Sequence, residues 1–309
     1  MAQTHHFDAQ ALFSVQKYVC LITGGGSGIG LMAAQALAAN GAKVYITGRR
    51  LEALQTAAKS HSPSGDGGSE GGQIIPIGPC DVTQKSSLEN LVREVEARES
   101  YINLLMCNAG IPSTKASPSP TSASDLKHRL WTTETMEDWQ NTYTTDVASV
   151  YFTTVAFLPL LQASLSSQSP NPKQSTPAAM PPFGPSVITT SSMSGLIRHS
   201  QAHFAYNAAK ASTAHLTKLM SAEFQKLGIR VNSIAPGYFP SEMTDNDGSD
   251  EQQKSELPAA KVEEKGHVPL RRAGREEEMG MAVLFLARCE YVNGQVLTID
   301  GGVMNVVGS

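Results

Sequence analysis

An apolar run, Tyr18 to Thr23, passes through Gly24-Gly25-Gly26-Ser27-Gly28-Ile29-Gly30 into an Ala/Leu-rich stretch that ends at Gly41. A strand, a glycine-rich turn and a helix in that order admit few folds, because the chain beyond the helix must return beside the first strand. The return is visible. Lys43 to Thr47 reads as a second strand and Leu51 to Ser60 as a second helix. Ile74 to Ile77 and Leu104 to Cys107 follow as strands, with a helix over Ser86 to Arg98 between them. A long helix is predicted over Met136 to Leu165, and strands over Ser186 to Thr190, Arg230 to Ile234 and Val296 to Ile299. Helices over Tyr206 to Leu227 and Glu276 to Ala287 complete the series. Short strands that are apolar throughout, alternating with helices, predict an α/β fold. The expected architecture is one doubly wound parallel sheet of seven strands with helices on both faces.

No break separates two cores, so residues 17–309 are expected to form one domain behind a flexible N-terminus, 1–16. Three segments interrupt the rhythm. The Gly/Ser/Pro-rich stretches 62–73 and 164–185 each precede a strand and read as surface loops, away from the ligand-bearing edge. The third, 112–133, leaves the carboxyl end of the fourth strand, the edge at which open α/β sheets hold ligands. A substrate-facing role for it is therefore open beside that of a plain loop.

Bulk properties exclude several function classes. A net charge of −4 with scattered basic residues gives no electrostatic case for nucleic acid or anionic membrane. No secretory signal is apparent at the N-terminus, and no apolar run suggests a membrane span, which needs roughly 18 residues. Cys20, Cys80, Cys107 and Cys289 are widely spaced in apolar surroundings, which suits buried thiols in a reducing, cytoplasmic compartment better than disulfides or a metal site. His5-His6 lacks further ligands nearby, so no metal is expected.

The glycine turn has a chemical reading. Glycines between a first strand and helix let the backbone approach a pyrophosphate, whose charge meets the helix N-terminus. Gly24, Ser27, Gly28, Ile29 and Gly30 are the candidate contacts. An NAD site commonly places an acid about 20 residues further on. Here that position is Gly48, followed by Arg49 and Arg50, which suit a ribose 2′-phosphate and favour NADP(H) over NAD(H). Tyr206 and Lys210 lie four residues apart, one helical turn, so phenol and ammonium share a face. A fixed cation beside a tyrosine is expected to lower its pKa toward the working range.

Taken in order, these features resemble the short-chain dehydrogenase/reductase family over about Tyr18 to Gly302. Thr23, Gly24, Gly28 and Gly30 match its glycine loop, and Asp81, followed by Val82, its adenine-contacting aspartate. Asn108-Ala109-Gly110 match its cofactor-lining triplet, and Ser192, Tyr206 and Lys210 its catalytic serine, tyrosine and lysine. Pro236-Gly237 match the pair beside the nicotinamide, with Phe239 close behind, and Ile299-Asp300-Gly301-Gly302 the terminal signature. The resemblance implies a Rossmann-like fold and reversible hydride transfer between nicotinamide and a small-molecule carbonyl or alcohol. It also implies a homodimer or homotetramer. The segments Ile234 to Thr244 and Pro269 to Glu277 are similar to the β-ketoacyl reductase branch, including rhamnolipid-type and fungal relatives. Residues 239–270 correspond to a lid over the substrate pocket, and its many acids suit a solvated lid better than a cation-binding site.

One position departs from the pattern. The family's fourth catalytic residue, an Asn seven after a Trp, is here Asp146. In relatives that Asn holds a water linking the lysine to solvent. An ionised Asp cannot donate a hydrogen bond and is expected to draw Lys210 into an ion pair. Retained but modified activity is the expectation. A cofactor-binding protein with lost chemistry, or an isomerase or cyclase, is the alternative.

Overall fold

The computed structural model describes residues 7–63, 72–118, 121–168, 184–244 and 248–308. Its core is a seven-stranded parallel sheet: β1 Val19–Thr23, β2 Lys43–Thr47, β3 Gln73–Pro76, β4 Leu104–Cys107, β5 Ser186–Thr190, β6 Arg230–Pro236 and β7 Val296–Ile299. The strand order is β3-β2-β1-β4-β5-β6-β7. Every pairing is parallel, with Val19 beside Lys43 on one side and Cys20 beside Leu104 on the other. The architecture is Rossmann-like and doubly wound. Chain direction across the sheet reverses between β1 and β4, and that reversal opens a crevice at the carboxyl ends of the strands.

Alternation along each strand sends side chains to opposite faces. Cys20 and Ile22 join one cluster with Leu31, Leu37, Leu54 and Val283, from α2 Gly28–Ala39, α3 Leu51–His61 and α10 Glu276–Arg288. Val19 and Leu21 join the other with Leu88, Leu91 and Phe157, from α4 Lys85–Glu96 and α7 Ser149–Gln168. Because both faces are covered, β1, β4, β5 and β6 are buried along their whole length. Cys20, Cys80 and Cys107 are buried free thiols, and burial pushes the Cys107 thiol up to about 12.

Several sequence expectations are corrected. A short helix, α1 Ala9–Phe13, lies within the stretch read as a flexible terminus; Asp8 caps it through the Ala11 N–H, and Val15 behind it is fully buried. Residues 112–133, read as a loop, contain α5 Ala123–Thr133, whose N-cap Ser122 accepts from the Asp125 N–H. The long helix is not continuous. α6 Met136–Tyr143 gives way to a π-helical turn, Thr144–Ala148, before α7 resumes, and α7 runs through residues 164–168.

Met136–Ser166 as a unit is long and apolar enough on average to cross a membrane, which the sequence reading missed; half of its apolar window is buried within the fold. The remaining helices are α8 Phe204–Phe224, α9 Ala259–Glu263 and α11 Met304–Val307. His5-His6, most of 62–73 and 164–185, and lid residues Asp245 and Asp247 lie outside the described residues.

Candidate active site

The crevice between β1 and β4 is a cavity of about 560 Å³, lined at one end by Arg49 and Arg50 and at the other by Ser192, Tyr206 and Lys210. Gly24, Ser27, Gly28, Ile29, Asp81, Val82, Asn108, Ala109, Gly110, Pro236, Gly237 and Phe239 line it between those ends. Two candidates stand behind its wall rather than in it, Gly30 and Asp146. The sequence reading missed Gly26, Thr190, Ser191, Ser241 and Glu242, which also line the cavity. Only their positions at strand ends and in the lid marked them.

The glycine turn is built for close approach. Gly24 has φ +65°, and a Cβ there would lie 2.9 Å from the Ala109 Cα. A Cβ on Gly30 would sit 2.2 Å from the Gly24 carbonyl oxygen, so only glycine lets α2 begin this close to β1. Asn108 braces the turn: its side-chain amide donates to the Gly24 carbonyl at 3.1 Å, and its Oδ1 accepts from Thr190 at 3.2 Å. Ser27 is the N-cap of α2 but makes no side-chain cap bond, and the first turn of that helix carries no acid. Unblocked amides at a helix start suit an anion. Asp81 is fixed by the backbone N–H and hydroxyl of Thr83 at 3.0 and 2.7 Å.

At the inner end, Ser192 follows β5, and its hydroxyl accepts from the Ser194 N–H at 3.1 Å. Tyr206 lies in the first turn of α8, whose start is held by the loop after β4. The Tyr206 N–H donates to the Ser113 hydroxyl at 3.2 Å, and the Ala116 N–H to the Ala202 carbonyl at 2.8 Å. Residues 112–118 thus pack against the start of α8 without lining the cavity themselves.

One turn further along α8, the Lys210 ammonium is buried 5.6 Å from the Tyr206 ring centroid and donates to the Thr190 carbonyl at 3.0 Å. Asp146, wholly buried in the π turn, lies behind it at 3.5 Å. Its other oxygen accepts from the Ile111 N–H at 2.8 Å, and its carbonyl from the Thr213 hydroxyl at 2.6 Å. The expected ion pair with Lys210 is present, though long for a hydrogen bond.

The electrostatics bear out the pull of Lys210 on Tyr206 but not a net shift toward the working range. Burial pushes the Tyr206 phenol above its ordinary value; Lys210 and Ser192 pull it down, Asp146 pushes it up again, and the net direction is upward. Burial works against the Lys210 charge, but Asp146 and Tyr206 outweigh it and hold the ammonium above its usual value. Burial likewise raises the Asp146 carboxyl, against the pull of Lys210 and the Ile111 amide.

The family model described as short chain dehydrogenase matches residues 18–169, and one described as enoyl-(acyl carrier protein) reductase matches residues 172–304. The short-chain dehydrogenase/reductase PhomF' of Diaporthe leptostromiformis is 39% identical over 307 residues, covering 97% of this chain and 96% of that protein. The chain belongs to the short-chain dehydrogenase/reductase family. It is also similar to the rhamnolipids biosynthesis 3-oxoacyl-[acyl-carrier-protein] reductase of Pseudomonas aeruginosa, at 30% identity over 94% of this chain and 97% of the relative. Among solved structures, the Pseudomonas aeruginosa RhlG/NADP active-site complex superposes with a TM-score of 0.72 at 29% identity, covering 94% of this chain and 98% of that one. As a member of this family the protein is an oxidoreductase of the nicotinamide-dependent kind. The cleft fits that cofactor on its own terms, in the glycine cradle and the open amides of α2.

Proposed function

We propose that the protein is an NADP(H)-dependent reductase that converts a ketone or aldehyde to an alcohol, reversibly. The observation that carries this reading is the convergence of Ser192, Tyr206 and Lys210 at one end of a cleft whose other end carries Arg49 and Arg50. A bound nicotinamide supplies or accepts the hydride. The chain's residues do the rest. The glycine turn and the start of α2 hold a pyrophosphate, and Arg49 with Arg50 favours the 2′-phosphate form. Ser192 donates a hydrogen bond to the substrate oxygen and so stabilises charge that develops there. Tyr206 delivers the proton to that oxygen, and its raised pKa keeps it protonated at neutral pH, as reduction requires. Lys210, kept charged, steadies the phenolate left behind, and Asp146 positions Lys210.

Acyl-chain ketones are one proposed substrate class, in line with the 3-oxoacyl-[acyl-carrier-protein] reductase relative; carbonyl intermediates of secondary metabolism are the other. Turnover of NADPH against NADH over a panel of cyclic, aromatic and β-ketoacyl ketones tests the reading. Nucleotide binding without turnover on any of them would favour a cofactor-binding protein that lost its chemistry. We read the protein as cytoplasmic, from its buried free thiols, and as homo-oligomeric, as the family resemblance implies.

A further inference from the structure

The lid reaches further than a cover for the substrate pocket. Its start, 240–244, folds back over the cofactor cleft: Ser241 lies so near the glycine turn that a Cβ on Gly28 would come within 3.0 Å of its Cβ. The Thr244 hydroxyl closes the turn by donating to the Phe239 carbonyl at 2.7 Å and accepting from the Ser241 N–H at 3.0 Å. At the tip of that turn, the Glu242 carboxylate takes both oxygens to the Arg50 Nη2, at 2.8 and 2.7 Å. The Ser249 hydroxyl donates to Glu242 Oε1 at 3.1 Å, steadying the carboxylate from the lid side. Further along the lid, the Gln252 carbonyl lies 2.7 Å from the His61 Nε2 at the end of α3, and Lys254 pairs with Glu276 at 2.7 Å. These contacts fasten the outer half of the lid across the side of the cleft that carries Arg49 and Arg50.

We propose that Glu242 is a cofactor-selecting residue: its carboxylate holds the Arg50 guanidinium in the place of a ribose 2′-phosphate, and the lid is released from Arg50 when that phosphate takes over. The inference rests on the NADP(H) reading above and deepens it. The Glu242 carboxylate neutralises the guanidinium and repels a second anion beside it, so a phosphate reaching Arg50 from the cleft competes with Glu242 for that charge. The exchange matches one anion with another, and Arg49 lines the same end of the cleft. A cofactor without the 2′-phosphate leaves the Arg50–Glu242 pair intact. Selection by Arg50 is therefore weakened by the lid's own acid, and the chain tolerates an arginine at an exposed edge without an uncompensated charge.

The test is equilibrium binding of NADPH and of NADH, followed by nucleotide fluorescence at low ionic strength, in the full-length protein. Glu242→Gln should tighten NADPH by about three- to fivefold, the upper part of the range an exposed pair supports, and change NADH less than about twofold. In an Arg50→Ala background the same substitution should have no effect on NADPH, since the group competed for is gone. Equal tightening of both nucleotides, or a gain that persists without Arg50, overturns the proposal: Glu242 would then be a lid latch indifferent to the phosphate. Failure of the NADP(H) reading looks different. The wild-type protein would bind NADH at least as tightly as NADPH. A swing toward NADPH in Glu242→Gln would still support the exchange, whereas no swing overturns it.

Discussion

Tyr206 sits where burial, one cation and one anion, Asp146, act on the same phenol. Asp146 raises the phenol's pKa directly and also holds the lysine that lowers it. Two expectations follow at this scale. Tyr206→Phe should bind nucleotide as the wild type does and lose turnover by about 10²- to 10⁴-fold, the usual worth of a placed general acid; rapid-reaction and steady-state kinetics separate the two effects. Asp146→Asn removes a charge that pushes the Tyr206 pKa up, so that pKa should fall. In the alcohol-oxidising direction the phenolate is the active form and rate rises as pH passes the tyrosine's pKa. The rising limb of that profile should therefore move to lower pH in the variant. An unmoved limb, or one displaced upward, would show that Asp146 does not act through Tyr206.

At the scale of elements, the candidate active site depends on two departures from ordinary local geometry. The π turn at Thr144–Ala148 adds a residue to one turn and so rotates Asp146 to the position from which it reaches Lys210 and Ile111. Periodicity alone predicts an unbroken helix here, because the apolar residues on either side continue the same pattern. The second departure is the start of α2 against β1. Gly30→Ala would press a methyl group into the Gly24 carbonyl and the Asn108 amide, at 2.2 and 2.6 Å. It should cost about 1–3 kcal/mol of stability and weaken nucleotide binding together, measurable by urea unfolding and titration.

Arg230 gives a contrasting case. It is wholly buried, and its guanidinium donates to the Leu286, Ala287 and Val292 carbonyls at 2.9, 3.0 and 3.1 Å, closing the carboxyl end of α10. Arg230→Met leaves those carbonyls unpaired and should destabilise by about 3 kcal/mol while leaving nucleotide affinity unchanged. Nothing in the sequence marked that arginine, which read as an ordinary residue at the edge of a strand.

For the molecule as a whole, α7 and α8 leave Tyr151, Phe152, Val155 and Leu219 exposed. These exposed apolar side chains are the ones that the proposed homo-oligomer would cover. The expectation is a dimer or tetramer at micromolar concentration, with Val155→Glu and Leu219→Glu shifting sedimentation toward monomer; a monomeric wild-type protein rejects it.

Much of the fold was legible in the chain itself. Uniformly apolar strands can only belong to a sheet covered on both faces, so the βα rhythm specified the layers before any contact was known. The glycine turn, Asn108 and the Tyr206–Lys210 spacing were legible for a related reason. Each works through backbone geometry or a single helical turn, which local sequence determines.

What the sequence could not supply were relations between distant segments. The Arg50–Glu242 pair joins residues 192 positions apart, and the burial that raises the Tyr206 pKa comes from packing around α8 rather than from the lysine one turn away. The strand order that opens the cleft between β1 and β4 is another such relation. Local propensity and periodicity reach only about one element along the chain. Desolvation and long-range ion pairing depend on which elements are neighbours in space, so tertiary structure alone decided them.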